Sequence, residues 1–135
     1  MASFFRNILG VMKVTNAAGV DVMKFDDNGY RYYTTTDSLT AHAGGGQGSA
    51  TALPSMFNRV TTVATAADSV VLPASVAGMC ITVTNAAAAN SMNVFPASGD
   101  AINALGANAA FAMAAGKTAE FVCITAGQWH AILSA

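Results

Sequence analysis

The chain has 135 residues, of which 53% are hydrophobic and only 10% charged, and its net charge is −1. That length suits one domain plus an arm, and the balanced charge lacks the electrostatic footprint of a nucleic-acid binder. No apolar run approaches the roughly 20 residues that span a bilayer, and residues 1–6 lack the basic region and long apolar stretch of a secretory leader.

Residues 3–12 place Phe4, Phe5, Ile8, Leu9 and Met12 at spacings that share one helical face, so a short amphipathic helix is expected, weakened by Gly10. Phe4 and Phe5 need cover, from this domain or from a neighbouring subunit. Residues 20–25 alternate with period two. Asp26-Asp27-Asn28-Gly29 follows as a turn, and Tyr30, Tyr32 and Thr34 then alternate with Arg31 and Tyr33. This predicts a β-hairpin, which is marginal alone in water and must dock. The acidic turn lacks the spaced ligands and distal Glu of a calcium loop, so turn chemistry is expected there.

Residues 34–52 hold Thr34-Thr35-Thr36 and Gly44-Gly45-Gly46-Gln47-Gly48-Ser49 and read as a flexible linker. No Gly-Lys-Ser/Thr follows the glycines, so they do not form a phosphate loop. His42 reads as a solvated residue beside the linker. The boundaries drawn are an N-terminal arm over residues 1–52 and a folded module over 53–135.

Within the module, strands are expected near residues 60–64, 69–72, 79–84, 92–95, 119–124 and 129–133, punctuated by Gly78, Gly99, Gly106, Gly116 and Gly127. Pro96 cannot donate to a ladder and should end its strand or mark an edge. Residues 109–115 are Ala-rich but hemmed in by Asn and Gly, so extended or loop structure is expected. The last two strands form a hairpin in which Trp129 anchors the core or an interface. Short strands at this spacing predict an all-β fold, a compact β-sandwich or small barrel, with an extended N-terminal arm.

Cys80 and Cys123 fall in apolar strands and read as two buried thiols; a disulfide is less expected in a reducing cytosol. Two His and two Cys at unrelated spacings make no metal site. A nucleophile needs a base within reach and a third group to orient it. His42 lies in the linker, His130 lies on the face of its strand opposite Trp129, and no Gly-x-Ser-x-Gly elbow is present. Glu120 is the only glutamate. The sequence therefore predicts no catalytic residues, no metal and no cofactor.

Asp68-Ser-Val-Val-Leu-Pro, Gly99-Asp100-Ala101-Ile102-Asn103, Ala115-Gly116-Lys117 before Glu120-Phe121-Val122, and the closing Gly127-Gln128-Trp129 resemble small β-structured virion proteins of tailed bacteriophages. The likeness covers about the last half of the chain, and proteins with this ladder look like capsid decoration (cement) proteins and related head or tail components. It implies a jelly-roll-like module on the capsid surface of a virion, made in the host cytoplasm. It also implies binding to the major capsid protein and self-association, with a trimer favoured over a dimer. It implies no enzymatic activity, and no nucleic-acid or membrane partner. The partner-facing residues expected on the arm are Phe4, Phe5, Ile8, Tyr30, Tyr32 and Tyr33. The alternative is a tail-fibre or receptor- or glycan-binding module, in which the tyrosines would stack on sugars.

Overall fold

The computed structural model describes residues 4–8 and 11–135, with side chains from Met12 onward. Contacts divide it into two units, Met1–Thr35 and Thr36–Ala135. Both are β-structured, as expected, and the only helical element described is a 3₁₀ turn at Gln47–Ser49.

The first unit is an antiparallel four-stranded sheet in sequence order: β1 (Phe4–Ile8), β2 (Val11–Thr15), β3 (Asp21–Phe25) and β4 (Arg31–Tyr33). The expected helix over residues 3–12 is instead β1 and the start of β2; residues 3, 9 and 10 lie outside the described residues. Gly10 disfavours a continuous helix, and Val11, Val14 and Thr15 are β-branched, so pairing in register, Phe5 with Val14 and Arg6 with Lys13, wins over helical periodicity. The expected hairpin is present as β3 and β4. Asp26 holds its turn, accepting from the backbone N–H of Asn28 and Tyr30 at 3.0 and 2.9 Å.

The second unit contains β5 (Thr35–Thr40), β6 (Thr51–Ala52), β7 (Phe57–Thr62), β8 (Asp68–Val71), β9 (Cys80–Asn85), β10 (Met92–Phe95), β11 (Ala101–Ile102), β12 (Phe111–Met113), β13 (Thr118–Thr125) and β14 (Gln128–Leu133). From β5 to β13 the chain alternates between two sheets, ordered β12-β10-β8-β6 and β11-β14-β13-β9-β7-β5. Strands two apart in sequence lie side by side and parallel: β6 with β8, β8 with β10, and β7 with β9. A parallel pair needs a crossover, and here each crossover is a strand of the opposite sheet. Antiparallel β12, β13 and β14 close the winding. The all-β class is as expected. The jelly-roll-like pairing is not, because a jelly roll is built from antiparallel Greek keys, whereas β6 with β8, β8 with β10, β7 with β9 and β11 with β14 are parallel neighbours.

One apolar cluster lies between these sheets. Trp129, Phe121, Leu72, Met92, Ile102 and Met113 are fully buried in it. Phe111 of one sheet meets Phe121 of the other edge-to-face, at 5.6 Å between ring centroids and 85° between planes. In β9, Ile81, Val83 and Asn85 point inward while Cys80, Thr82 and Thr84 are half-buried on the outer face. The inner strand β8 buries Asp68, Ser69 and Val70 in succession, as a strand paired on both edges does in a covered sheet. The outer edge of β14 is paired with β11 and, just beyond it, held by Asn103. Its Oδ1 accepts from the N–H of Ala131 at 2.8 Å, and its own N–H donates to the carbonyl of Trp129 at 2.8 Å.

The glycine-rich stretch is part of this unit and not a linker. His42 exchanges two backbone hydrogen bonds of 2.9 Å with Ser69, Ala41 N–H donates to Thr62, and Thr51 and Ala52 pair with Val70 and Val71. The boundary drawn between residues 52 and 53 therefore falls inside a sheet. The buried carboxylate of Asp68 ties the stretch down. Its oxygens accept from the N–H and hydroxyl of Thr65 at 2.9 and 2.6 Å and from Gly44 N–H at 3.3 Å. Gly45 has φ +48, and a Cβ there would stand 2.6 Å from the carbonyl oxygen of Ala67. Glycine is needed for fit and for backbone angle, not for looseness.

Candidate interaction surfaces

In a pleated sheet, directly paired residues share a face. Across the first unit this gives two rows of opposite chemistry. Val14, Met23 and Tyr33 occupy one, with Met12 and Phe25 beside it; Lys13, Lys24 and Tyr32 occupy the other, and on β1 Phe5 and Arg6 hold the register positions opposite Val14 and Lys13. Between Met12 and Thr35 no residue is buried. A single sheet layer with one apolar face needs a second layer to cover it.

The expected interface residues divide between these rows. Tyr32 lies on the cationic face and Tyr33, half-buried, on the apolar one, because neighbours along a strand point to opposite sides. Tyr30 precedes β4 and is exposed. Phe4, Phe5 and Ile8 hold positions in β1, and their side chains lie outside the described residues.

The cationic face carries the most developed local geometry. Lys13 and Lys24 are direct cross-strand partners. Lys13 Nζ pairs with Asp21 Oδ2 at 2.6 Å. Among the described residues no carboxylate is within ion-pairing distance of Lys24. Its ammonium instead lies 5.1 Å from the centroid of the Tyr32 ring, a cation–π contact. The Tyr32 hydroxyl donates to Asp26 Oδ2 at 2.6 Å. That bond, with those from the backbone of Tyr30 and Asn28, holds the Asp26 carboxyl below its usual range and pushes the Tyr32 phenol up. Lys13, Lys24, Asp26 and Tyr32 border a depression of about 300 Å³. Sequence reading missed the two lysines. The available signal was the repeated Val-Met-Lys at residues 11–13 and 22–24, which puts a lysine at matching places in two adjacent strands.

The second unit offers a broad outer face on its larger sheet. Phe57, Thr82, Glu120 and Ile132 form one row across β7, β9, β13 and β14; Cys80, Val122 and His130 form the next. Ile124 and Ile132 are 69% and 65% exposed, too much for incidental rim residues of the core. Charge is sparse: Glu120, and Arg59 bound to Asp37 at 2.9 Å. Beside this face is an apolar cavity of about 530 Å³ lined by Leu53, Pro54, Met56, Pro73, Met79 and Ile81. Cys80 is at its margin and donates to Glu120 Oε1 at 2.9 Å. Burial and that hydrogen bond push the thiol up to about 11.

The two cysteines are free and lie on opposite faces of the sheet, Cys123 buried and Cys80 half-exposed. The expectation of two buried thiols thus holds for Cys123 alone, since Cys80 pairs with Val122, one position off the inward register. Trp129 is fully buried, and its Nε1–H has no partner among the described residues. His130 is exposed on the outer face, whereas Asp100 accepts from the backbone of Ser75 at 3.0 Å. Among the described residues no group of three or more His, Cys, Asp or Glu is placed to hold a metal ion. No family model matches the chain, and neither the curated proteins nor the solved structures contain a significant match.

Proposed function

We propose that this protein is a non-enzymatic docking protein of the capsid decoration type, binding the outer surface of a phage head through the major capsid protein and stabilising the shell as a homo-oligomer, with a trimer favoured. The observation that carries this reading is the outer face of the six-stranded sheet: wide, poor in charge and studded with Phe57, Val122, Ile124 and Ile132. Such a face associates through area and shape, with little electrostatic steering. The neighbouring apolar cavity suits a partner's apolar side chain, and the apolar row of the first unit adds a second surface in need of cover. We read the 36–135 unit as a short two-sheet β-solenoid closed by antiparallel strands, a rigid support for that face.

The test uses particles assembled with and without the protein. Complete particles should keep their contents to a higher temperature, because a ligand of the assembled state stabilises it by linkage. Ile132→Asp, placed on solvent-exposed surface, should leave the fold intact and abolish the protection. Equal survival of both kinds of particle would remove the cementing role.

A second reading is favoured by one specific observation, the exposed Tyr32 ring set among charged groups. In it the first unit is a receptor- or glycan-binding module.

A further inference from the structure

The cationic face of the first unit carries an inference that rests on the second reading. Like charges placed directly opposite across two strands repel and destabilise the sheet. Lys13 and Lys24 are so placed, and Arg6 holds the next register position on β1. Among the described residues, the ion pair made from this row is that of Lys13 with Asp21. Among the described residues, Lys24 has the Tyr32 ring and no carboxylate beside it. An anion resting between the two ammonium groups would relieve this row.

The surroundings narrow the class of anion. The depression between Lys13, Lys24, Asp26 and Tyr32 measures about 300 Å³, at the lower end of small-ligand pockets, roughly 300–1,000 Å³. Tyr32 is fixed by its 2.6 Å bond to Asp26, so the ring edge and the carboxylate are presented in one orientation. An aromatic ring offers a flat apolar wall, a carboxylate accepts from hydroxyls, and the lysines bind a negative group as point charges. Phosphate would meet the nearby Asp26 and Asp21 carboxylates with two charges of its own sign. A singly charged carboxylate on a hydroxyl-bearing ring meets all three kinds of group.

We propose that Lys13, Lys24, Asp26 and Tyr32 form a binding site for a carboxylate-bearing sugar, the carboxylate lying between the two lysines and the sugar ring against Tyr32.

The full chain would be titrated with sodium galacturonate, neutral galactose, sodium acetate and a short oligoglutamate peptide, following amide shifts by NMR. Galacturonate should bind with shifts confined to β2, β3 and β4 and at least tenfold more tightly than galactose or acetate. Lys24→Met should weaken it at least tenfold, Lys24→Arg should restore most of the loss, and Tyr32→Ala should remove the preference over acetate. Lys24 and Tyr32 are exposed, and an unchanged amide spectrum outside β2–β4 verifies the fold of each variant. Equal binding of galactose and galacturonate would overturn the carboxylate assignment and leave the glycan reading standing. Binding of oligoglutamate at the same residues without galacturonate would overturn it in favour of an acidic protein partner. Absence of any sugar binding would overturn both the site and the second reading.

Discussion

Residues 21–25 and 80–85 follow the same alternating pattern, yet Ile81, Val83 and Asn85 are buried while every residue from Asp21 to Phe25 keeps contact with solvent. The difference lies in what each strand faces. β9 faces a second sheet that carries Met92, Val94 and Met113; the first unit is one layer whose apolar row has no second layer within the unit. Alternation specifies a half-buried strand but not the surface that buries it. One unit completes its core with its own winding, and the other presents an unfinished one.

The sharpest break of this comparison is by truncation. Removal of residues 1–35 should leave a cooperatively unfolding protein with its β-sheet circular dichroism intact. Removal of residues 1–52 also strips β5, β6 and the Gly44 contact with Asp68, and should abolish cooperative unfolding. If the shorter chain still melts cooperatively, residues 36–52 are dispensable and the unit begins later.

Large-to-small substitutions probe the same contrast one residue at a time. Trp129→Ala should cost about 3–5 kcal/mol in denaturant unfolding, as for deletion of a large buried aromatic. Met23→Ala in the first unit should change the stability of the free protein by no more than about 0.5 kcal/mol, the range for surface positions. A large cost at Met23 would mean that the apolar row is covered in the free chain.

Gly45→Ala tests the glycine-rich stretch. The left-handed backbone and the contact with the Ala67 carbonyl should together cost about 1–3 kcal/mol, the usual range for local strain. Gly48→Ala, where φ is not positive and an added Cβ meets nothing within 4 Å, should be near neutral. Equal tolerance at both positions would restore the reading of this stretch as a flexible tether.

Acid should act through the same tie. Hydrogen bonds from Thr65, then its backbone, hold the Asp68 carboxyl below its ordinary 3.8. A carboxyl lowered on folding binds its proton more readily in the unfolded chain. Its contribution is therefore complete above 3.8 and is lost as pH falls from there through the lower folded value. Stability measured against pH should decline over that window, and Asp68→Asn should flatten the decline. An unchanged slope in the variant would assign the acid sensitivity elsewhere.

How much of this was legible in the sequence follows from the range of each interaction. The strand at Met92–Phe95 and its end before Pro96 could be read directly, because alternation and a missing donor are local properties. The burial of Trp129 was legible for the same reason. The pairing of Thr51 with Val70, and of Val70 with Val94, joins segments with no common motif, so a compact β-sandwich or small barrel was expected where these segments pair in parallel. The glycines at 44–46 were misread because composition reports what a backbone can do, whereas Asp68 and Ala67, more than twenty residues on, decide what it does. At the candidate site the tyrosines stood out as aromatics. Lys13 and Lys24 did not, since only strand register brings them side by side.

Asn103 has a consequence for the protein at high concentration. A sheet edge grows when a second molecule supplies the next donor and acceptor, and filaments propagate by repeating that step. On β14, Ala101 and Ile102 of β11 cover Gln128 and Trp129, and the next donor and acceptor are supplied by the backbone N–H and side-chain amide of Asn103. A two-residue strand followed by a side-chain amide is too short to template a further ladder, so it ends the series where a longer strand would extend it. Copies of this chain can then be brought to high concentration and still remain separate molecules along that edge.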